Sequence, residues 1–182
     1  MFRHRGWLPV PFLLVPLLAR GTMQPRNWII GFVLIVLGEA IRLAGVAAAG
    51  TVTRRRSRTV QRLVTYGIFA WMRNPLYVGN FLIWIGFTVI SGVLWFLPIA
   101  AVLFAVEYTL IVRYEEGVLE SIFGEEYLAY KRRTPRWFPR PPAVKETGEH
   151  HWGEAWTSEI STLLQYVVLV ALFLVKDRYF YR

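Results

Sequence analysis

The chain has 182 residues, of which 55% are hydrophobic and 18% charged, and its formal net charge is +9. The absence of cysteine excludes disulfides, thiolate metal sites and cysteine nucleophiles. The length suits one domain, and long apolar runs indicate an integral membrane protein. Because the basic residues flank those runs, their charge is explained by membrane orientation and attraction to membrane lipids, and we expect no nucleic-acid partner.

Five apolar segments predict an all-α fold, with residues 1–182 forming a single polytopic membrane domain of about five transmembrane helices. The first, at 7–19, is short and holds three prolines, so it either spans with distortion or only dips into the membrane. It resembles a signal peptide without a clear cleavage site, and we expect it to be retained. The four segments predicted to span lie at 28–49, 75–90, 93–112 and 160–175. Ser91 and Gly92 separate the second and third of these, which form a helical hairpin.

The basic residues predict how the chain is oriented. If all five segments cross, the N-terminus, residues 50–77 and residues 113–159 share one side, which carries 15 basic residues against 5 on the other. The positive-inside rule places this side in the cytoplasm, and we expect a bacterial or archaeal inner membrane. The hairpin turn is too tight to carry a domain. We therefore expect a cytoplasmic cofactor pocket and active site on the side of the large basic loops.

The octapeptide RNPLYVGN, at residues 73–80, lies directly before an apolar run. Asn74 and Pro75 predict a helix start, because Asn is a favoured N-cap and Pro fits the first helical position. The free N–H groups of the first turn, with Arg73, would form an anion-binding corner, and Gly79 would let a ligand approach the backbone. One helix face holds Tyr77, Asn80 and Trp84. An ordinary capped transmembrane helix with interfacial Arg and Tyr explains the same residues.

A second cluster follows the fourth apolar segment. Glu115 and Glu116 stand where carboxylates are costly and badly placed for a helix dipole. The apolar period continues to residue 123, so we expect the helix to continue and to end at Gly124, with a short surface helix at 125–132. An interfacial amphipathic helix explains its tyrosines but not two adjacent carboxylates. Those carboxylates would accept ribose hydroxyls or pair with a cationic ligand.

The hairpin returns the chain to the face that it left, so residues 73–77 should lie near Glu115 and Glu116. One side offers N–H groups and a guanidinium for a carboxylate. The other offers carboxylates for hydroxyls or an ammonium group, and aromatic side chains surround both. A zwitterionic nucleoside fits this description, and S-adenosylmethionine is the obvious one.

Two stretches, LVTYGIFAWMRNPLYVGN and EEGVLESIFGEEYLAYKRRTPRWFP, carry a family resemblance across residues 63–139. In this order, with the hairpin between them, they resemble the isoprenylcysteine carboxyl methyltransferase and phospholipid methyltransferase group of integral membrane enzymes. The resemblance implies a methyltransferase that uses S-adenosylmethionine and takes a lipophilic small-molecule or prenylated acceptor from the bilayer. The helix at 160–175 would be an addition to this core.

The resemblance also implies roles for individual residues. The cofactor-binding residues would be Tyr66, Gly67, Asn74, Pro75, Leu76, Tyr77, Gly79, Asn80, Glu115, Glu116, Tyr127 and Tyr130. The catalytic residues would be Arg73, Glu116, Arg133 and Arg136. Arg73 and the first helical N–H groups would hold the methionine carboxylate, and Glu116 would hold the ribose or the ammonium group. The last two arginines would orient an acceptor carboxylate or phosphate, or else are ordinary membrane-surface arginines.

One residue departs from the family pattern, because Asn74 stands where the family usually has His. Asn does not titrate near neutral pH. Methylating an amine requires removal of a proton, whereas methylating a carboxylate does not. Asn74 therefore favours O-methylation of an isoprenylcysteine-type carboxylate over N-methylation of a phospholipid amine.

Other ionisable residues have two readings each. Glu39 and Arg42, inside the second segment, either line an acceptor tunnel or form an intrahelical pair that faces neighbouring helices. Glu107 either faces the same cavity or pairs with a basic group. We expect no metal site, since His150 and His151 lie in a Pro- and Gly-rich stretch and should be solvated.

Two further functions fit the same segments. A sterol-reductase-like membrane enzyme would bind NADPH, but the adjacent Glu115 and Glu116 disfavour a cofactor with an extra phosphate. A non-enzymatic membrane assembly protein would bind no nucleoside.

Overall fold

The described residues of the computed structural model, 9–50, 62–142, 144 and 146–180, form α-helices joined by turns and irregular segments, with no strand among them. This confirms the all-α prediction. The helices are α1 (Pro9–Leu18), α2 (Pro25–Ala49), α3 (Pro75–Ile90), α4 (Leu97–Phe123), α5 (Glu125–Arg133) and α6 (Trp152–Phe180). As predicted, α3 begins at a proline, α4 continues to Gly124 and a short helix follows it.

Within the described ranges, three helical segments are long and apolar enough to cross a membrane: Pro25–Ala49, Leu94–Phe123 and Trp152–Tyr179. They show that this is a helical membrane protein. About five crossing helices were expected, and among the described helices these three have the required length. The α3 helix has 16 residues and rises roughly 24 Å, against a hydrocarbon core of about 30 Å, and α1 is shorter still. The last helix is longer than the predicted 160–175.

Helices α2 and α3 pack with their backbones in direct contact. A Cβ added to Gly31 would lie 2.5 Å from the carbonyl oxygen of Gly86, and one added to Gly38 would lie 2.6 Å from that of Gly79. Small residues at such crossings let membrane helices approach closely. Gly79, predicted to admit a ligand, therefore faces α2. The nearby core holds Ile35, Ile83, Phe87, Ile90 and Phe173.

Contacts at the two ends of the helix bundle show which loops lie at the same end. At one end, the Lys176 ammonium of α6 donates to the carbonyl oxygens of Pro16 at 2.5 Å and Ser91 at 3.4 Å. At the other, the Tyr66 hydroxyl lies within hydrogen-bonding distance of the carbonyl oxygens of Ala48 and Glu149. The described parts of the two large polar loops therefore meet at one end, as predicted. Residues 51–61, which hold four of the predicted basic residues, lie outside the described ranges.

The glycine contact between α2 and α3 predicts a selective loss of stability. We expect Gly86→Ala to lower the free energy of unfolding by about 1–3 kcal/mol, because its Cβ meets the backbone of α2. The control is Gly117→Ala on α4, where a Cβ meets nothing within 4 Å. That change should leave stability equal or higher, since alanine is the better helix former. Unfolding in mixed micelles, followed by circular dichroism, measures both, and equal losses would contradict the close packing.

Candidate active site

Glu116, on the last two turns of α4, is a buried carboxylate that two arginines contact. The Arg73 Nε donates to Oε1 at 3.1 Å, and Nη2 of the same guanidinium lies 3.0 Å from that oxygen. The Arg136 Nη2 donates to Oε2 at 2.7 Å and its Nε to Oε1 at 3.2 Å. Glu116 is only 4% exposed. Charge-assisted hydrogen bonds therefore occupy both of its oxygens.

Arg73 is held on several sides. Its Nη1 donates to the carbonyl oxygens of Lys131 at 2.7 Å and Thr134 at 2.9 Å, and its backbone N–H donates to Pro135 at 2.9 Å. The side chain of Arg73 is 8% exposed, whereas that of Arg136 is 29% exposed. Arg73 therefore fixes the start of α3 against the end of α5, while Arg136 is the more accessible guanidinium.

The start of α3 differs from the prediction in one respect. Asn74 occupies the N-cap position but its side chain makes no capping hydrogen bond. Its Nδ2 instead donates to the carbonyl oxygen of Arg136 at 3.2 Å. The expected side-chain cap is therefore wrong, because the bond from Nδ2 to the chain after α5 orients the amide instead. The positively polarised first turn of α3 lies beside this segment without a side-chain cap.

Glu115 contacts a residue within α3, whereas Glu116 contacts arginines that lie before α3 and after α5. The Tyr77 hydroxyl donates to Glu115 Oε2 at 2.8 Å. The ring of Tyr77 also packs against that of Tyr108, with centroids 4.7 Å apart. The structure thus confirms that the start of α3 and the two carboxylates lie together, and it gives each carboxylate a different partner.

Tyr127 and Tyr130 form a buried wall beside Glu116, at 1% and 3% exposure. Their ring centroids are 6.0 Å apart, and the Tyr130 hydroxyl donates to the carbonyl oxygen of Phe69 at 2.8 Å. Burial, and then the charge of Glu116, raises the pKa of Tyr127. Burial likewise raises the pKa of Tyr130. Both phenols therefore stay protonated at neutral pH and cannot act as bases there.

Three other predicted residues, Tyr66, Gly67 and Arg133, contact the segment of residues 146–150 that precedes α6. Arg133 pairs with Glu146, which also accepts a hydrogen bond from Thr65. Gly67 has a φ of 60°, and a Cβ there would lie 2.7 Å from a ring nitrogen of His150. The Pro- and Gly-rich stretch that holds His150 thus packs onto the turn before α3. Glu146 was not among the predicted residues, and His150 was expected only to be solvated, because a Pro- and Gly-rich stretch carries no periodic signal that would assign them partners.

Asn80 belongs to a separate polar cluster inside the helix bundle. Arg42 of α2 donates through Nη1 to the Asn80 side chain, and through Nη2 to both carboxylate oxygens of Glu159 at 3.0 Å. Its Nε lies 3.4 Å from Glu39, which also accepts from Tyr166 at 3.0 Å. Of the two readings of Glu39 and Arg42, the structure matches the pair that faces neighbouring helices. Sequence analysis missed its partners on α6.

Two further predicted cofactor residues pack on α2. A Cβ added to Gly45 would lie 2.9 Å from a terminal carbon of Leu76 and 3.6 Å from the ring of Pro75. Pro75 and Leu76 therefore secure the first turn of α3 against the second helix. Gly79 and Asn80, like these two residues, contact α2.

Comparison with known proteins bears on these residues. The family model for phospholipid methyltransferases matches residues 27–126. Protein-S-isoprenylcysteine O-methyltransferase of Mus musculus is 35% identical over 123 residues, which cover 63% of this chain and 42% of that protein. Protein-S-isoprenylcysteine O-methyltransferase B of Arabidopsis thaliana is 35% identical over 127 residues, covering 64% and 62%.

A cobalt-zinc-cadmium resistance protein of Cupriavidus metallidurans is also similar. It is 32% identical over 153 residues, which cover 82% of this chain and 69% of that protein. The chain thus spans less than half of the mouse methyltransferase but most of the bacterial protein. The match of the family model ends at residue 126, so Arg133, Arg136 and α6 lie beyond it.

The buried Arg42–Glu159 pair predicts a large effect on stability. Glu159 is fully buried, and Glu159→Gln would leave Arg42 short of one countercharge. We expect a loss of about 3–5 kcal/mol in the free energy of unfolding. The control is Glu154→Gln at the exposed start of α6, which should change stability by no more than about 0.5 kcal/mol. Denaturant unfolding in detergent measures both, and a similar small effect in each would show that the pair carries no weight.

Proposed function

We propose that this chain, which belongs to the phospholipid methyltransferase family, transfers a methyl group from S-adenosylmethionine to a lipophilic acceptor at the membrane surface. The family model matches more than half of the chain, and the bacterial relative is covered over more than two thirds of its length. The names of the mouse and plant relatives support O-methylation of an isoprenylcysteine-type carboxylate.

The observation that carries the proposal is the contact of Glu116 with Arg73 and Arg136. It joins the start of α3, the end of α4 and the segment after α5 at one end of a membrane bundle. Opposite charges, a polarised helix start and buried aromatic side chains thus stand within a few side-chain lengths of one another. This is the set of groups that a zwitterionic nucleoside requires.

The side chains present fit S-adenosylmethionine in their donor and acceptor types. Arg136 is partly exposed and, with the uncapped first turn of α3, suits the methionine carboxylate. Glu115, whose carboxylate is partly exposed, suits the ribose hydroxyls or the ammonium group. Arg73 and Glu116 are already paired and deeply buried, so we assign them mainly to positioning Arg136 and the start of α3.

S-adenosylmethionine would supply a methyl group on a sulfonium centre, which is transferred by in-line displacement. For such a step a protein mainly provides alignment and a water-poor, preorganised field. The buried rings of Tyr127 and Tyr130 exclude water on one side of Glu116. Tyr77, held by Glu115, forms the wall on the α3 side. An acceptor with an apolar tail reaches this end of the bundle directly from the lipid.

The acid–base properties of the site favour a carboxylate acceptor over an amine. A protonated amine must lose a proton before it attacks, which requires a base. Asn74 cannot titrate, and its amide is engaged with Arg136. The raised pKa values of Tyr127 and Tyr130 remove the phenols from this role. An ionised carboxylate needs no such help.

We expect Glu116→Gln to weaken binding of S-adenosylmethionine by roughly tenfold or more, because Arg136 loses the charge that orients it. The matched control is Glu120→Gln, one turn further along α4, where a half-exposed carboxylate pairs with Lys131 at 3.0 Å. That variant should bind as the wild type does. Isothermal titration of the detergent-purified proteins measures the affinities, with circular dichroism to verify the fold. No binding by the wild type, or equal binding by Glu116→Gln, would refute the assignment.

The reaction product distinguishes the acceptor classes. We expect label from methyl-labelled S-adenosylmethionine to appear in a prenylcysteine derivative and to be released as methanol by mild alkali, because a methyl ester hydrolyses whereas a methylamine does not. Phosphatidylethanolamine, tested in parallel, should remain unlabelled. Alkali-stable label in the phospholipid would instead establish N-methylation.

A further inference from the structure

A cavity of about 440 Å³ lies at the end of the bundle opposite Glu116. The segment that leads from α1 into the first turn of α2 forms one side, and the turn before α4 contributes the other. Its size falls within the roughly 300–1,000 Å³ of small-molecule sites. Nothing in the proposed methyl transfer uses this cavity.

The lining of the cavity is positively charged. Arg20 and Arg26 both contribute to it, no acidic residue does, and neither arginine forms an ion pair with a described residue. The α2 helix also begins here, at Pro25, and Gln24 provides no side-chain cap. Its positive dipole end therefore adds to the two guanidiniums. The cavity is thus suited to an anion.

The floor of the cavity is built from closely packed backbone. A Cβ added to Gly21 would lie 2.5 Å from the backbone of Gly92, and one added to Gly92 would lie 2.5 Å from that of Thr22. Asn27, which is 4% exposed, donates through Nδ2 to the carbonyl oxygen of Thr22 at 3.0 Å. These contacts hold the segment between the arginines against the α3–α4 turn. The two charges are therefore presented by a preformed surface.

The position of the cavity indicates a lipid ligand. The membrane-crossing segments Pro25–Ala49 and Leu94–Phe123 both start at it, which places it at the depth of the lipid headgroups. Leu94 and Trp95, at its edge, are 44% and 59% exposed, and exposed Trp is typical of the membrane interface. An anion bound here would have an apolar surface beside it for acyl chains.

We propose that this cavity binds the phosphate group of an anionic phospholipid in the leaflet opposite the Glu116 site. Arg20 and Arg26 contact the phosphate oxygens, and the glycerol and acyl chains lie along Leu94 and Trp95. The same phosphate chemistry occurs in free inorganic phosphate. The exposed apolar edge favours the lipid as the source.

The test measures lipid retained by the full chain, and it does not depend on methyltransferase activity. Protein reconstituted in nanodiscs of phosphatidylcholine with phosphatidylglycerol is released into detergent and weighed by native mass spectrometry. We expect the wild type to retain one phosphatidylglycerol. Arg26→Gln should weaken its retention roughly tenfold or more, the effect of losing one charge-assisted contact. Arg26→Lys should restore part of it.

The control is Arg178→Gln. It removes an exposed arginine from the last turn of α6, at the same end of the bundle as the cavity, without altering the cavity lining. It should retain the lipid as the wild type does. Equal loss in Arg26→Gln and Arg178→Gln would show diffuse surface attraction and overturn the proposal, as would no retention by the wild type. Binding of inorganic phosphate without any retention of phosphatidylglycerol would overturn the lipid as the ligand. Circular dichroism verifies that each variant is folded.

Discussion

The structure around the candidate site depends on one buried carboxylate. Glu116 holds Arg73, at the start of α3, and Arg136, after α5, so three parts of the chain that are distant in sequence converge on it. Charge without a partner at this depth would cost several kcal/mol. The carboxylate is stable there only when both arginines are in place. The orientation of Asn74, whose amide donates to the Arg136 carbonyl, follows from the same contact.

Such a contact selects a geometry more than it adds stability. A buried ion pair offsets little more than its own desolvation, but removing one member leaves an unpaired charge. Arrangements that separate α3 from α5 are therefore excluded. In this contact with Glu116, Arg136 is more exposed than Arg73. Arg136 is therefore better suited to contact a ligand, and Arg73 is better suited to hold the surrounding chain in position. Burial therefore distinguishes two side chains of identical chemistry.

The sequence predicts features that local chemistry determines. Asn74 and Pro75 correctly mark the start of α3, and apolar periodicity correctly extends α4 to Gly124. The convergence of the start of α3 on Glu116 follows from the tightness of the hairpin. Partners across long sequence separations leave no local signal, so Arg42 with Glu159, 117 residues apart, could not be predicted. Gly79 had two possible neighbours, a ligand or another helix, and composition does not distinguish them.

The cluster on Arg42 links the membrane interior to the surface site. Asn80, which accepts a hydrogen bond from Arg42, lies one turn after Tyr77 on α3, and Tyr77 donates to Glu115. A continuous set of contacts therefore runs from Glu159, on α6, to a carboxylate at the candidate site. Because α6 lies beyond the residues that the family model matches, a helix outside that match packs against α3. Helix α3 thus contacts α6 and Arg42 on one side and Glu115 on the other.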